Sequence, residues 1–232
     1  SDYALPIKEN LSFIRNLKNI SKQSSFLKSE HADILEDFEA IINGKYIVDN
    51  KDELIYKPNK TKLKLNMGES SSSIRALLDI GFYLHHIAKP GDLLMIDEPE
   101  LNLHPENQRL LARIFSKLTK VGIKVFITTH SDYIIKELNT LIMLNNANHG
   151  DERLKKIVER ENIKLNTLLA HDRVKVYIAE KSKIKIEQNT RSTLENTLTI
   201  ATITPENGIE ARSFDTTIND MNRIQDEIYW GE

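Results

Sequence analysis

Leu93-Leu94-Met95-Ile96-Asp97-Glu98 is the stretch that decides how this chain is read. Four apolar residues in a row suit a strand buried inside a parallel sheet, and two carboxylates stand where that strand ends. Ligands of open α/β sheets bind beyond the carboxyl ends of the strands, so both acids lie at the expected edge. Adjacent residues of an extended chain point opposite ways, which suits two jobs, one on a metal ion and one on a water. A strand that merely ends in a solvated turn would carry the same letters.

Working outward, Ile123-Lys124-Val125-Phe126-Ile127 reads as a second buried strand, ending in Thr128-Thr129-His130-Ser131. Between the two, Pro105 to Lys120 predicts an amphipathic helix with Leu110, Leu111, Ile114, Phe115 and Leu118 inward. Strand, helix, strand is a βαβ unit with a right-handed crossover. Parallel pairing would bring His130 to the edge that holds Asp97 and Glu98. A lone histidine after a strand is usually a helix cap or a packed side chain; beside two carboxylates it becomes a candidate for facing a ligand. Asp97 to Pro105 is held out of helix by Pro99 and Pro105 and reads as a stiff βα loop. Upstream, Gly68-Glu69-Ser70-Ser71-Ser72-Ser73-Ile74-Arg75 opens a helix running to Ala88, which Pro90-Gly91 ends. Serines at a helix start either cap it or offer hydroxyls and amides to an anion.

Further out the period changes twice. Leu11 to Asn43 predicts helix, with Gly44 as its C-cap. Lys45–Val48, Glu53–Tyr56 and Thr61–Leu65 predict short strands, the last placing Lys60, Lys62 and Lys64 on one face as a solvated edge or a phosphate strip. Ser131 to Leu138 reads as helix and Leu141 to Leu144 as strand. Beyond Gly150, Glu152 to Arg160 reads as helix, and strands follow near Val174–Ala179, Ile184–Gln188 and Leu194–Thr204. Pro205-Glu206-Asn207-Gly208 is a turn, and a last helix turns Phe214, Ile218, Met221, Ile224 and Ile228 inward. The organisation expected is 1–66, a helical segment with short strands; 67–146, the βαβ lobe; and 147–232, an α+β extension.

Composition sets the outer limits. The chain has 232 residues, 40% apolar and 28% charged, with no cysteine and a net charge of -2. A disulfide framework, a thiolate metal site and a cysteine nucleophile are therefore excluded. No global basic field advertises nucleic acid, and no apolar run approaches the ~20 residues of a membrane span. A cytoplasmic location fits.

Taken in order, the serine-rich helix start, the Asp-Glu strand, the proline-flanked loop and the strand ending in histidine resemble the C-terminal lobe of an ABC-type ATPase. Within that superfamily the set is most similar to the non-transporter bacterial branch of AAA-family or OLD-like ATPases, related to the repair and chromosome-maintenance ATPases. Ser70 to Arg75 resembles the signature motif, with serine where glycine is commoner. Leu93 to Glu98 resembles Walker B, Glu100 to Pro105 the D-loop of this branch, and His130 the switch histidine. Leu11 to Asn43 is similar to the tail of the helical subdomain.

The resemblance implies an α/β fold, a partial P-loop NTPase sheet with flanking helices, and use of ATP and Mg²⁺. It implies that Asp97 holds Mg²⁺ through water, Glu98 is the general base for the attacking water, and His130 bonds the γ-phosphate. Ser71, Ser72 and Ser73 would meet the nucleotide held by an opposing subunit, with Ser71 and Ser72 capping its γ-phosphate. Asn102 and His104 would lie across the dimer axis. The implied partners are a second copy joined through ATP, DNA, and a separate nuclease; no membrane is involved.

One element of the family is missing from these residues. A P-loop requires Gly-x-x-x-x-Gly-Lys-Ser/Thr; only Gly44 precedes a lysine, and Tyr46 follows where Ser or Thr is needed. No Q-loop is identifiable either. The expectation is a C-terminal piece or natural half of a larger ATPase, inactive alone, with a P-loop half as partner. Two rivals stay open: a non-hydrolysing pseudo-ATPase scaffold for dimerisation or nucleic acid, and a metal hydrolase with Asp97, Glu98, His104 and His130 as ligands. A toprim-type nuclease domain is not evident after Leu144.

Overall fold

Serines break the N-terminal helical run into pieces. The computed structural model describes residues 5–49, 52–147, 151–185, 192–210 and 221–228. It gives α1 (Leu5–Ser21), α2 (Phe26–Glu30) and α3 (Ala32–Ile42) where one helical stretch was expected from Leu11. Serine side chains offer the backbone other hydrogen-bond partners, and Ser25 is extended at φ -70°, ψ 160°. At the end of α3 it is Asn43, not Gly44, that turns left-handed, at φ 48°. Gly44 is needed for a different reason: a Cβ there would stand 2.5 Å from the Lys57 carbonyl oxygen.

The strands β1 (Gly44–Val48), β2 (Leu54–Pro58) and β3 (Leu65–Asn66) form an antiparallel sheet in that order. The strand expected over Thr61–Leu65 is reduced to its last residue. Lys60 is left-handed at φ 57°, and the Thr61 hydroxyl accepts the Leu63 N–H at 3.2 Å, a local turn that competes with ladder pairing. Lys60, Lys62 and Lys64 therefore do not share a strand face; all three are exposed.

The helix after the serines is also segmented, into α4 (Ser72–Ala76), α5 (Leu78–Phe82) and a π-turn over Tyr83–Ile87. Widening the helix frees carbonyls, and Ser25 takes two of them. Its hydroxyl donates to the Leu84 oxygen, and its N–H to the His85 oxygen at 3.1 Å. Gly81 admits the rings of Phe38 and Tyr46, which a Cβ would meet at 2.8 and 2.7 Å.

The βαβ unit follows as read: β4 (Leu93–Asp97), α6 (Pro105–Lys120) and β5 (Lys124–Thr128). β4 and β5 pair in parallel, Leu93 opposite Lys124 and Asp97 opposite Thr128. Leu111, Ile114 and Leu118 of α6 join Leu27, Ile34 and Phe38 in one apolar core, onto which Leu94, Ile96, Val125 and Ile127 pack. On the opposite sheet face Leu93, Met95 and Phe126 are 58%, 64% and 50% exposed among the described residues. The expectation of strands buried on both faces thus holds for one face. Lys117 is fully buried on α6, its ammonium 2.6 Å from Asp33 and 2.5 Å from Asp37 of α3. That double ion pair ties the helical segment to the βαβ unit.

Contacts divide the chain into two compact units, Ser1–Ile134 and Ile135–Glu232. Helix α7 (Asp132–Asn146) is continuous and absorbs the strand expected at Leu141–Leu144. A short apolar run fits a buried helix as well as a strand, and Leu138, Leu141 and Ile142 fall at helical spacing. In the second unit Leu141, Ile142, Ile163, Leu168 and Ile209 form a small core beside α8 (Glu152–Arg160). The strands expected at Val174–Ala179 and Ile184–Gln188 merge into β6 (Tyr177–Lys185), residues 186–188 lying outside the described set. β6 pairs antiparallel with β7 (Ser192–Ile200). β8 (Ile203–Thr204) and β9 (Gly208–Ile209) flank the expected turn. The Asn139 side chain holds β9 in place of a strand, accepting the Ile209 N–H at 2.7 Å and donating to its carbonyl at 3.3 Å. Residues 221–228 are helical, but Met221, Ile224 and Ile228 are exposed, against expectation; Phe214 and Ile218 lie outside the described residues. Among the described residues no helix is long and apolar enough to cross a membrane.

Candidate functional site

Where β4 ends, the chain makes a turn that L-residues resist. Glu98 is left-handed at φ 46°, a conformation costing a non-glycine residue about 1 kcal/mol or more. The end of β5 holds it there. The Glu98 N–H donates to the Thr128 carbonyl at 3.1 Å and lies 3.2 Å from the Thr128 hydroxyl, which itself donates to the Asp97 carboxylate. Parallel register creates this arrangement by setting Thr128 opposite Asp97.

His130 comes to the same edge, as the sequence led one to expect. Its Nε2 lies 3.4 Å from Glu98 Oε1, with the imidazole 86% and the Glu98 side chain 35% exposed. Asp97 is exposed as well. Two carboxylates and an imidazole therefore face open water at the carboxyl end of a parallel pair.

The loop to α6 is pinned from inside. Pro99 and Leu103 are buried, the Leu101 N–H bonds the Glu98 carbonyl at 3.1 Å, and the Leu103 N–H bonds the Glu100 carbonyl at 3.0 Å. Those turns leave Asn102, left-handed at φ 62°, and His104 exposed on the outside. His104 is also the N-cap of α6, its Nδ1 accepting the Glu106 N–H at 3.3 Å. In the serine turn, Ser71 is the N-cap of α4, accepting the Ile74 N–H at 3.4 Å and sitting 2.8 Å from the Ser73 hydroxyl. Ser70 is buried and its carbonyl is held by Arg75, while Ser71 and Ser72 are exposed. Among the described residues no hydrogen bond or ion pair joins Ser71, Ser72 or Ser73 to Asp97, Glu98 or His130.

Three participants carried no role in the sequence reading. Thr128 was legible only through register. Glu100 stands in the quoted loop, and its Oε1 accepts the Thr129 hydroxyl at 2.8 Å and the His130 N–H at 2.7 Å. Gln108 of α6 accepts the Ser131 hydroxyl and donates to the Leu103 carbonyl at 2.9 Å. No local motif marks either residue; each matters by spanning two loops.

The donor set is oxygen-rich and hard, which suits Mg²⁺, an ion content with one or two carboxylates when phosphates and waters complete its shell. A protein-only cage is a different matter. Among the described residues no group of three His, Cys, Asp or Glu side chains could hold a metal, which removes the basis for a metal hydrolase ligated by Asp97, Glu98, His104 and His130. The second unit has an apolar cavity of about 470 Å³ lined by Leu144, Leu154, Val158, Leu165 and Leu168, with Lys155 its charged member. Lys155 is paired with Glu152 at 2.7 Å, and the rest of that lining is apolar.

A family model described as an AAA ATPase domain matches residues 6–135. A Methanosarcina acetivorans protein assigned as an ABC transporter ATP-binding protein is 24% identical over 94 residues, 39% of this chain and 34% of that one. The chain thus spans about a third of the length of this curated relative. Two solved structures align at 19% identity. One is an SmcHead bound to the C-winged helix domain of ScpA, with a TM-score of 0.38 over 58% of this chain and 41% of that one. The other comes from work on ATP-driven dimerization and DNA stimulated activation of SMC ATPases, with a TM-score of 0.36 over 66% and 98%.

Proposed function

The chain belongs to the AAA ATPase domain family, and from that premise we propose that it supplies the acid- and histidine-bearing half of an ATP-hydrolysing site. The observation that carries this reading is Glu98, held left-handed where β4 ends, with its carboxylate 3.4 Å from His130 Nε2. A base for water and a donor for a phosphate oxygen are the two groups that phosphoryl transfer to water asks of a protein.

Glu98 orients the attacking water and takes its proton as the new bond to the γ-phosphorus forms and the bond to the bridging oxygen breaks. His130 donates a hydrogen bond to a γ-phosphate oxygen, where negative charge is concentrated. The Thr128 hydroxyl fixes the rotamer of Asp97, the residue that would hold the metal through water. Bound Mg²⁺ neutralises phosphate charge. Ser71 and Ser72, exposed and unattached to this edge, fit the nucleotide of an opposing subunit, with Ser73 steadying Ser71. Asn102 and His104 present themselves outward for the dimer axis.

A P-loop half completes the site by cradling the phosphates, and the bare face at Leu93, Met95 and Phe126 is its seat. Two copies then close on ATP. The work the ATPase drives is DNA-associated, in repair or phage defence with a nuclease partner, and faster turnover on adding DNA is its mark.

The experiment joins the chain to its P-loop half and replaces Glu98 by Gln. With ATP present, E98Q accumulates as a dimer on size-exclusion chromatography, while the wild-type dimer dissolves as ATP is consumed. Rapid turnover by E98Q sinks the assignment of the base. A wild-type assembly that dimerises yet never hydrolyses is instead a scaffold.

A further inference from the structure

Glu100 is half-buried between the loop after β4 and the loop after β5, and one of its oxygens does all the holding. Oε1 accepts two donors from the second loop, the Thr129 hydroxyl at 2.8 Å and the His130 backbone N–H at 2.7 Å. Oε2 is buried without a hydrogen-bond partner among the described residues. A buried acceptor left unmatched is unfavourable, so this carboxylate is not there to optimise stability. What it achieves is geometric. It fixes the backbone of His130 in the opposite loop, the histidine that faces Glu98, which stands two residues before Glu100 in its own loop.

Other contacts on the same loop show why that position needs a strap. Thr129 accepts the Ser131 N–H at 2.9 Å, and Ser131 accepts the Ile134 N–H at 3.1 Å, starting α7. Gln108 secures Ser131 to α6. The side-chain hydroxyls of Thr129 and Ser131 are thus committed on both sides of His130, whose own imidazole is 86% exposed. Without Glu100, nothing among the described contacts of the first loop holds the His130 amide.

We propose that Glu100 is a positioning residue: it straps the loop after β5 to the loop after β4, so that His130 stays poised beside Glu98 for the reaction. The inference rests on the ATPase reading of Glu98 and His130 but concerns a residue that reading leaves idle. It makes a specific chemical forecast. Both donors converge on one oxygen, so glutamine, which keeps a carbonyl oxygen there, preserves the strap, whereas alanine abolishes it.

Two measurements separate this proposal from the reading beneath it. The first is amide hydrogen exchange on the chain itself. Exchange at His130 is expected to rise about tenfold or more in E100A and to stay within about threefold of wild type in E100Q. Equal protection in wild type and E100A overturns the proposal, whatever the site does. The second is steady-state turnover of the assembled ATPase. E100A is expected to lower kcat at least about tenfold with little change in the KM for ATP, and E100Q to recover most of it. Should E100A fail to fold, Thr129→Val removes one of the two donors and is expected to show the same kcat loss in milder form. A loss in E100Q as large as in E100A overturns the strap in favour of a charge effect. A silent wild-type assembly contradicts the ATPase reading instead, and the exchange data then decide on the strap alone.

Discussion

On the inner face of the β4–β5 pair, Leu94, Ile96, Val125 and Ile127 pack onto the helical core; on the outer face, Leu93, Met95 and Phe126 stand half to two-thirds in water. The two faces come from alternate residues of the same two strands: the inner one is wholly apolar, and the outer one sets Leu93, Met95 and Phe126 beside Lys124, Asp97 and Thr128. Parallel strands are apolar on both sides because they sit between two layers. Among the described residues, α3 and α6 build one of those layers, and the apolar residues of the other face are exposed. The lesson is that a strand's composition records the full set of neighbours it was selected to meet, including those another segment must provide. We take the P-loop half to be that segment.

The comparison can be broken at either face. The largest effect belongs to the inner one: Ile127→Asp sets a carboxylate beside Ile96 and against the helical core, and should cost roughly 3 kcal/mol. Urea unfolding of the chain reads that loss. On the outer face, Phe126→Ser should change the same midpoint by about 0.5 kcal/mol or less, because little is packed there to lose. Its signature lies elsewhere, in weaker binding of an apolar dye and weaker association with the P-loop half. A Phe126 substitution as damaging as that of Ile127 would mean the outer face is covered within the chain.

A smaller effect tests the layer beneath the inner face. Burial lowers the pKa of His85 below its ordinary 6.5, against the upward pull of Glu39, whose carboxylate is 3.7 Å away. The folded ring therefore holds its proton less tightly than the unfolded one. At pH values above about 6.5 neither form is charged; as the pH falls below it, the unfolded chain protonates first and stability is lost. Unfolding midpoints measured from pH 7.5 down to 5.5 should fall, and His85→Gln should flatten that slope. A midpoint that rises on acidification in this window contradicts the assignment.

How much of this was legible in the letters follows the same division. The βαβ unit was, because Pro105 opens α6, its apolar stripe runs at helical spacing, and the apolar runs fix the strands that flank it. Once those strands pair in parallel, Asp97, Glu98 and His130 must share an edge. The strand at Leu141–Leu144 was misread because four apolar residues carry no period of their own. The lysine alternation at Lys60, Lys62 and Lys64 misled because it is the pattern of solvated coil as well as of a strand edge. Glu100 and Thr128 escaped because their importance lies in what they touch across thirty residues of chain, which no local motif encodes. The single-sided core escaped for a similar reason, since sequence states apolarity and not what covers it.

The central claim is that hydrolysis needs this chain's Glu98 together with a P-loop half seated on the bare sheet face. ATP turnover by the assembled protein, wild type against E98Q, tests it most directly. The account predicts at least about a hundredfold loss of kcat in E98Q with ATP still bound, a few kcal/mol of barrier, and no turnover by the chain alone. Turnover by E98Q at the wild-type rate, or equal turnover by the chain without its partner, would contradict it.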